Sequence, residues 1–323
     1  MEEGLSKKLI VVLGHKGMLG QMCVRYFRKV KHIELMTYDE HRYSPLNPLK
    51  YINGLKTHLD AAPYLWNNIM IINAIGRIPQ KHPDATLPEY VSVNVTLPLL
   101  LAKTFTGCKI IFPSTDCVFS GTTPSATINR HAYSATDPKD AYGLSKALME
   151  EALVGHENAI VIRASIIGPY SDHGLLGWFL SREQDAIVKG YTNHMWNGVT
   201  SLQWCRFVHD IIHLDRAPVV NYGTKEIYSK YDILIQFAEA FGRSDVTITP
   251  TATPVSVYRN LHITLLDVPP LRTQLQELKR FMEVEEYLQM AAPQSIIRVY
   301  NADTFETEER DINQVLKELR LWE

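Results

Sequence analysis

The fold of this chain is decided by one stretch near its amino terminus, Leu9-Ile10-Val11-Val12-Leu13-Gly14-His15-Lys16-Gly17-Met18-Leu19-Gly20. Its first five residues form a continuous apolar run that stops at Gly14, which is typical of a strand buried on both faces. From Met18 to about residue 31, apolar residues recur at helical spacing. A strand, a glycine-rich turn and a helix in this order indicate the first unit of a parallel α/β sheet.

The same alternation continues through the first half of the chain. Apolar runs predict four more strands, and helical spacing predicts two long helices, the first of them kinked at Pro98. The predicted strands cover residues 33–38, 69–72, 109–112 and 160–162, and the helices cover 87–105 and 141–153. This order predicts an α/β protein with a Rossmann-type doubly wound parallel sheet and right-handed crossovers.

The glycine turn predicts a dinucleotide site. Glycine allows the tight turn and a close approach of the backbone to a pyrophosphate, and the N–H groups at the helix start bind the anion. Asp39, at the end of the second strand, is the expected ribose ligand and favours NAD, whereas His41 and Arg42 could neutralise the 2′-phosphate of NADP. We predict NADP(H), with NAD(H) left open. The predicted cofactor contacts are Gly14, Lys16, Gly17, Met18, Leu19, Asp39, His41, Arg42, Asn73, Ala74, Ile75, Tyr142 and Lys146.

The regular alternation breaks after Gly168. Later segments are mixed, with predicted helices at 202–214, 233–241 and 271–290, a short strand at 246–248 and an amphipathic terminal helix near 315–321. We therefore predict an NAD(P)-binding domain over residues 1–168. A smaller C-terminal substrate-binding lobe is predicted over residues 169–323, with some segments returning to the sheet.

Composition and charge narrow the class of protein. The formal net charge is −2 and hydrophobic residues make up 46% of the chain, which gives no electrostatic footprint for nucleic acid. No apolar run approaches the roughly 20 residues of a membrane span, and the acidic start is no secretory signal. The four cysteines are widely spaced and form no Cys-x-x-Cys pair. We therefore expect a reduced, cytoplasmic protein without a metal site, a membrane or a nucleic-acid partner.

A tyrosine and a lysine at helical spacing point to carbonyl chemistry. In Tyr142-Gly-Leu-Ser-Lys146 the two side chains stand one helical turn apart on one face. The lysine charge favours tyrosinate, so we expect it to lower the phenol pKa from about 10 toward neutrality. Tyr142 is then a candidate general acid, able to protonate a carbonyl oxygen as a hydride reaches the carbon.

Residues 112–121, Phe-Pro-Ser-Thr-Asp-Cys-Val-Phe-Ser-Gly, resemble the Ser-Thr-Asp-Tyr-Val-Phe-x-Gly signature of the dTDP-4-dehydrorhamnose reductase family of extended short-chain dehydrogenases. The resemblance covers roughly residues 8–285, and the residues that follow the family's order and spacing are those of the glycine turn, Asn73, Ala74, Asn94, Thr115, Tyr142, Lys146 and Arg163.

The resemblance implies a nucleotide-sugar reductase that uses NADPH. Its catalytic set would be Thr115, Tyr142 and Lys146, acting on the 4-keto group of a UDP- or dTDP-linked 4-keto-6-deoxyhexose of the rhamnose type. Thr115 would hydrogen-bond the keto oxygen, and Lys146 would also hold the nicotinamide ribose. The predicted substrate contacts are Asp116, Val118, Phe119, Arg182 and Asn197.

Position 117 departs from this family, which has tyrosine there. In GDP-fucose synthase and in the bifunctional 3,5-epimerase/4-reductases of rhamnose synthesis, a cysteine follows the catalytic serine or threonine by two residues, as Cys117 follows Thr115. Those enzymes pair it with a histidine beyond the fifth strand, and His173 lies in the matching region. The resemblance thus implies epimerisation at C3 or C5 as a second activity, since such a pair can remove and replace a proton next to a ketone. A packing role for Cys117 and a surface role for His173 stay open.

Two other interpretations remain open. One is an epimerase with bound NAD. The other is a non-catalytic NADP-binding regulatory subunit, because the β-subunit of methionine adenosyltransferase resembles this family and serves a partner enzyme. The intact set of Thr115, Tyr142 and Lys146 favours catalysis. The helices predicted at 87–105 and 141–153 resemble the pair that forms a four-helix interface in related dimers, so we predict a homodimer.

Overall fold

The computed structural model describes residues 8–38, 44–122, 140–213, 219–263, 267–290, 296–301 and 306–311. Within these ranges a central sheet of six parallel strands has the order β10-β5-β4-β3-β1-β2. Its strands are β1 (Lys8–Leu13), β2 (Ile33–Tyr38), β3 (Ile69–Asn73), β4 (Lys109–Ser114), β5 (Ala159–Arg163) and β10 (Val220–Asn221). The predicted doubly wound parallel sheet is confirmed.

Helices cover both faces of this sheet. The helices of the first half are α1 (Met18–Phe27), α2 (Pro48–Asp60), α3 (Leu87–Val91), α4 (Leu97–Thr104) and α5 (Ala141–Ala152). Successive side chains of a strand point to opposite faces. Ile10 and Val12 accordingly pack in the cluster with Cys23 of α1, whereas Val11 packs in a second cluster with Leu55 of α2. The continuous apolar run that starts the chain is therefore buried on both sides, as expected.

The long helix predicted over residues 87–105 contains a π-turn. Residues Ser92–Thr96 form this wider turn between α3 and α4. Pro98 has no N–H to donate to the carbonyl of Asn94, so the regular α-helical bond is lost at the place where the helix widens. The structure thus confirms a helical irregularity at Pro98 and shows that it is a π-turn, which carries Asn94.

The C-terminal part of the chain combines short strands with helices of 6 to 20 residues. Its helices are α6 (Leu175–Leu180), α7 (Ser201–Asp210), α8 (Lys230–Phe241) and α9 (Leu271–Met290), and its strands are β6 (Ile166–Ile167), β7 (Ile187–Tyr191), β8 (His194–Trp196), β9 (Val199–Thr200), β11 (Tyr228–Ser229), β12 (Thr247–Thr251), β13 (Val257–Arg259), β14 (Ile296–Asn301) and β15 (Glu306–Asp311). The three strands β11-β8-β13 form one small sheet. Helix α7 ends at Asp210 and continues as a 3₁₀ turn over Ile211–His213, shorter than the predicted 202–214.

Some segments beyond residue 168 belong with the first half. Strand β10 joins the edge of the central sheet beside β5, and buried residues of α7 share a cluster with those of α1. These late segments therefore pack with the sheet of the first half, and the predicted division at residue 168 stays a prediction. The antiparallel hairpin of β14 and β15 was not predicted, because the second strand, Glu-Thr-Glu-Glu-Arg-Asp, is rich in residues that are depleted in strands. The helix predicted near 315–321 lies outside the described residues.

The described helices include none that combines the length and the apolar character of a membrane span.

A buried ion pair ties α5 to the sheet. Glu150 of α5 and Arg163 of β5 are each 1% exposed, and the Arg163 Nε lies 3.1 Å from Glu150 Oε1 and 2.9 Å from Oε2. The Ser114 hydroxyl, at the end of β4, donates to the same carboxylate. Three hydrogen-bonded groups thus join α5 to the ends of two adjacent strands.

Truncation of Glu150 tests this connection. Glu150→Ala leaves the Arg163 guanidinium buried without its carboxylate, and removal of one partner of a buried pair costs about 3–5 kcal/mol. We expect urea unfolding to show a loss of this size. The control is Asp60→Ala, which breaks the exposed pair of Lys56 and Asp60 on α2 and should cost about 0.5 kcal/mol or less. Equal losses in the two variants would contradict the structural role of Glu150.

Candidate active site

The glycine turn brings backbone from three segments into close contact. Gly14 has a φ of +76°, and a Cβ there would lie 2.8 Å from the carbonyl carbon of Ala74. A Cβ on Gly20 would overlap the carbonyl of Gly14. The N–H of Ala74 donates to the carbonyl of Leu13 at 3.0 Å, so the end of β3 lies directly against the turn. A side chain at Gly14 or Gly20 would overlap this backbone, so backbone atoms form the surface of the turn.

Helix α1 starts at this turn with backbone N–H groups that no N-cap side chain satisfies. Its N-cap is Gly17, which provides no side-chain cap, and the first N–H groups of a helix have no partner within the helix. Met18 and Leu19 are the first two helical residues, and Lys16 is exposed just before them. This geometry fits an anion such as a pyrophosphate.

The remaining predicted cofactor residues divide into two groups. Asn73, the last residue of β3, is buried, and its Oδ1 accepts from the Ile75 N–H at 3.4 Å. Asp39, His41 and Arg42 lie outside the described residues, so their roles toward the ribose and the 2′-phosphate stay predictions.

Thr115 and Tyr142 come together at the carboxyl end of β4. Thr115 caps a 3₁₀ turn over Asp116–Val118, accepting from the Cys117 N–H at 3.1 Å and donating to Asp116 Oδ1 at 2.9 Å. The Thr115 hydroxyl acts on the Tyr142 phenol, from the first turn of α5, in the direction that lowers the phenol pKa. Two hydroxyl groups predicted to act on one carbonyl are therefore adjacent.

Asn94 holds the start of α5 in place. Its side chain is 1% exposed, and its Nδ2 donates to the Ser145 hydroxyl at 2.9 Å and to the Arg77 carbonyl at 3.0 Å. The Ser145 hydroxyl in turn donates to the Tyr142 carbonyl at 2.7 Å. Asn94 thus connects the loop after β3 to the backbone of Tyr142. The resemblance included Asn94 by position, but the π-turn that places it was not predicted.

The prediction that Lys146 lowers the pKa of Tyr142 is wrong. Burial is the largest cause acting on the phenol and raises its pKa above the usual value, and the nearby Cys117 raises it further. The Lys146 ammonium donates to the Pro113 carbonyl at 2.6 Å and lies 3.4 Å from the Met149 sulfur. Burial also lowers the pKa of Lys146 to about 8. Tyr142 is therefore protonated at neutral pH, which is the form that an acid needs.

Two cationic side chains from the C-terminal lobe act on this group through their charges, and no local motif predicts either of them. Burial raises the pKa of Asp116, and the charge of Arg259 opposes that effect. Lys230 interacts with the charges of Asp116, Arg259 and Cys117. Their separation from Thr115 along the chain exceeds one hundred residues, so only the packed lobe brings them near.

A close backbone contact positions Arg259. The Tyr258 N–H donates to the Gly121 carbonyl at 2.9 Å, and Gly121 has a φ of +68°, where a Cβ would lie 3.1 Å from the Tyr258 carbonyl. The Arg259 Nη1 donates to the Phe119 carbonyl at 2.8 Å. Strand β13 is thereby attached to the loop that follows Thr115.

Cys117 and His173, the predicted epimerase pair, have different neighbours. The Cys117 Sγ lies 3.6 Å from Asp116 Oδ1, and burial raises the thiol pKa to about 12. The His173 side chain is 44% exposed, with its Nε2 3.7 Å from Asp172 Oδ1, and its charge acts on His82. Their joint role stays a prediction.

The other predicted substrate residues make contacts within the protein. The Asn197 amide donates to the carbonyls of Thr224 and Leu261 and accepts from the Leu261 N–H. The Arg182 guanidinium lies 4.8 Å from the centre of the Trp178 ring. Val118 and Phe119 are buried in a small apolar cluster. These contacts explain why the side chains are held, and a direct role in substrate binding stays a prediction for each.

The fold and this site define an α/β protein of the Rossmann type, with two hydroxyl side chains at the same edge of the sheet as the glycine turn. The chain matches the family model of the RmlD substrate binding domain over residues 8–186 and belongs to that family. No curated protein matches the sequence.

Solved structures share the fold at low sequence identity. A dTDP-4-dehydrorhamnose reductase from Clostridium acetobutylicum is 20% identical with a TM-score of 0.69, over 85% of this chain and 99% of that one. The dTDP-4-dehydrorhamnose reductase from Bacillus anthracis in complex with NADP is 15% identical with a TM-score of 0.70, over 86% and 99%. The dTDP-glucose 4,6-dehydratase from Bacillus anthracis in complex with NAD is 16% identical with a TM-score of 0.63, over 87% and 98%.

The buried ammonium of Lys146 predicts a pH-dependent stability difference. Its pKa is about 8 in the folded protein against an ordinary 10.5, so the unfolded chain binds more protons between these values. The stability of the wild type should then rise with pH through this window. Below pH 8 the buried charge costs up to about 3 kcal/mol at about 1.4 kcal/mol per pKa unit.

We therefore expect Lys146→Met to be more stable than the wild type at pH 7, by up to about 3 kcal/mol, with the difference shrinking by pH 9.5. Urea unfolding at three pH values measures it. Lys189→Met, which removes an exposed lysine of β7, is the control and should show no such trend. A Lys146→Met difference that does not change with pH would refute the buried ammonium.

Proposed function

We propose that this protein is an NADP(H)-dependent oxidoreductase that reduces the 4-keto group of a nucleotide-activated 4-keto-6-deoxyhexose. The observation that carries the proposal is the proximity of Thr115 and Tyr142, whose hydroxyl groups act on each other at the carboxyl edge of the sheet that also holds the glycine turn. Membership of the RmlD substrate binding domain family supports it. The structural likeness to dTDP-4-dehydrorhamnose reductases supports the substrate class.

The glycine turn fits the pyrophosphate of a dinucleotide. A Cβ at Gly14 or Gly20 would fill the space between the turn, the end of β3 and the start of α1. Gly14, Gly17 and the first residues of α1 would hold the phosphates, with the end of β3 beside them. A bound NADPH supplies a hydride for the carbonyl carbon. The related reductase from Bacillus anthracis was solved with NADP, which supports NADP(H), and the dehydratase solved with NAD leaves NAD(H) as a second option.

In the proposed reaction, Tyr142 supplies the proton. Its raised pKa keeps the phenol protonated, and the O–H proton passes to the carbonyl oxygen as the hydride converts the carbonyl carbon to an alcohol. The Thr115 hydroxyl, now donating to Asp116, can rotate to donate a second hydrogen bond to the same oxygen. The tyrosinate that remains takes a proton back from water.

Lys146 has a separate role in this proposal. Its ammonium donates to the Pro113 carbonyl at 2.6 Å, and the pKa of the Tyr142 phenol is raised rather than lowered, so Lys146 is not assigned to the tyrosinate. With a pKa of about 8 it is largely charged at neutral pH. As the family resemblance implies, it would hold the ribose of the nicotinamide.

The raised pKa of Cys117 weighs against epimerisation. A thiol with a pKa of about 12 is ionised in roughly one molecule in 100,000 at pH 7, and the thiolate is the form that removes a proton. We therefore propose reduction as the activity. The epimerase with bound NAD and the regulatory subunit stay alternatives, and the homodimer stays a prediction. No contact described above favours any of the three.

Measuring turnover on a panel of candidate sugars identifies the nucleotide of the substrate. The protein is incubated with NADPH and the UDP- and dTDP-linked 4-keto-6-deoxyglucoses, with their 2-acetamido analogues alongside, and the products are analysed by NMR. Reduction at C4 of at least one member of this panel is expected. Tight association with another enzyme and no turnover across the panel would instead favour the regulatory subunit.

Replacement of the phenol separates chemistry from cofactor binding. Tyr142→Phe should lower kcat about a hundredfold or more, because general acid catalysis contributes at least that much, while NADPH affinity changes little. Tyr26→Phe is the matched control, since Tyr26 is also a half-buried tyrosine with a raised pKa but is hydrogen-bonded to His209. Near-wild-type turnover in Tyr142→Phe would reject Tyr142 as the acid.

Solvent deuterium distinguishes a reductase from a bifunctional enzyme. In deuterium oxide with unlabelled NADPH, we expect the sugar product to carry no deuterium at C3 or C5, because Cys117 is a weak base. Cys117→Ser should then reduce the same substrate at a similar rate. Deuterium at either carbon, lost in Cys117→Ser, would overturn this and establish the epimerase activity.

A further inference from the structure

Gln21 joins the glycine turn to a distant segment of the chain. It lies on α1, and its Nε2 donates to the Lys16 carbonyl at 3.1 Å and to the Tyr170 carbonyl at 3.1 Å. Lys16 belongs to the turn, whereas Tyr170 lies 149 residues after Gln21, in the segment 168–174 between β6 and α6. A side-chain amide has two N–H groups, so this bridge uses both of them.

Arg25 supports the same bridge from the next turn of α1. Its guanidinium carbon lies 4.2 Å from the centre of the Tyr170 ring, where the face of the ring attracts a cation. Its Nη1 donates to Gln21 Oε1 at 3.4 Å. The oxygen and the nitrogen of the Gln21 amide therefore both have partners, which fixes the orientation of the side chain.

A second contact joins the start of the segment to the start of α1. A Cβ on Gly168 would lie 2.5 Å from the Met18 sulfur. Met18 is the first residue of α1, where the backbone N–H groups have no partner within the helix. Gly168 thus lets the segment pack directly against the residues that would hold the pyrophosphate. This packing is independent of the hydrogen bonds made by Gln21.

The other end of the segment leads to two predicted site residues. The segment contains His173 and runs directly into α6, and a Cβ on Gly177 of that helix would overlap the Ser171 carbonyl. Segment and helix are therefore closely packed. The carbonyl of Trp178, also on α6, accepts from the Arg182 Nε at 3.0 Å. A shift of the segment is thus expected to move both His173 and Arg182.

We propose that Gln21 is a positioning residue that couples the dinucleotide site to the segment 168–174, so that an occupied glycine turn holds this segment in the arrangement that receives the nucleotide sugar. The proposal rests on the proposed function, since it assigns a regulation of the same site. A pyrophosphate bound by the N–H groups that follow Lys16 restrains the turn. The restrained Lys16 carbonyl holds one N–H of the Gln21 amide, and the other N–H holds the Tyr170 carbonyl. The segment is then ordered before the sugar binds, which raises the affinity for the sugar.

Hydrogen–deuterium exchange on the intact chain measures this coupling without a substrate. Exchange of the amides in residues 168–180 is followed with and without saturating NADP⁺, and separately with NAD⁺. The variant is Gln21→Met, which removes both N–H donors at similar size and keeps a good helix former. Gln203→Met is the matched control, because Gln203 is a half-buried glutamine of α7 whose amide donates to the Tyr222 hydroxyl at 2.9 Å.

In the wild type, we expect the bound dinucleotide to slow exchange in residues 168–180 about fivefold or more, which is the lower end of coupling between two sites. In Gln21→Met this slowing should be largely lost, because the loss of two hydrogen bonds accounts for a change of that size. Gln203→Met should behave as the wild type. Thermal unfolding is measured alongside, since a purely structural role of Gln21 would lower Tm and leave the slowing intact.

Titration of UDP-glucose and dTDP-glucose tests the consequence for the sugar site. With the dinucleotide bound, at least one of the two should bind the wild type about fivefold more tightly, and Gln21→Met should show no such gain. By reciprocity the same factor should appear in the affinity for the dinucleotide when the sugar is bound. No gain in the wild type would overturn the coupling.

The inference is also overturned if neither dinucleotide changes exchange in residues 168–180 of the wild type, if Gln21→Met keeps the full slowing, or if Gln203→Met loses it equally. The proposed function fails on different evidence, namely the absence of NADPH oxidation across the 4-keto sugar panel. Slowing and a gain in sugar affinity that both depend on Gln21, in a protein without reductase activity, would therefore keep the coupling and reject the reductase.

Discussion

The buried pair of Glu150 and Arg163 is the interaction on which the proposed site depends. It joins α5 to β5, and Ser114 extends the connection to β4. Thr115 follows Ser114 directly, and Tyr142 lies two turns before Glu150 on the same helix. The pair therefore holds the helix that carries Tyr142 against the strand end that precedes Thr115, although neither of its members is a candidate for contact with substrate. Such a pair is weak evidence for net stability, since desolvation offsets much of its attraction. Its value here is in holding one geometry.

Burial decides the protonation states around this geometry. The pKa values of Tyr142, Cys117 and Asp116 are raised and that of Lys146 is lowered, and burial is the largest cause in each case. Each shift favours the neutral form of its group. A site that disfavours charge at rest interacts strongly with the charge that develops on a carbonyl oxygen.

Much of the fold follows from local patterns in the sequence. Four local patterns correspond to observed elements: the apolar run before Gly14, the later runs at 69–72 and 109–112, and the helical spacing of residues 141–153. They could be predicted because the periodicity of a strand or a helix appears in the spacing of apolar residues along the chain. The π-turn at Ser92–Thr96 was missed, since Pro98 predicts a kink without specifying its form. The hairpin of β14 and β15 was missed because its charged second strand lacks β-forming residues.

The sequence by itself determined the strand–turn–helix start, the doubly wound sheet and the spacing of Tyr142 and Lys146, since all three depend on residues close together in the chain. Only the tertiary structure decided what surrounds these groups. It directs the Lys146 ammonium to the Pro113 carbonyl, partly buries Tyr142 and Cys117 so that their pKa values rise, and brings the charges of Lys230 and Arg259 close enough to act on Asp116. Electrostatics depend on distance and desolvation in the packed molecule, and residues more than one hundred positions apart reveal neither until the chain is folded.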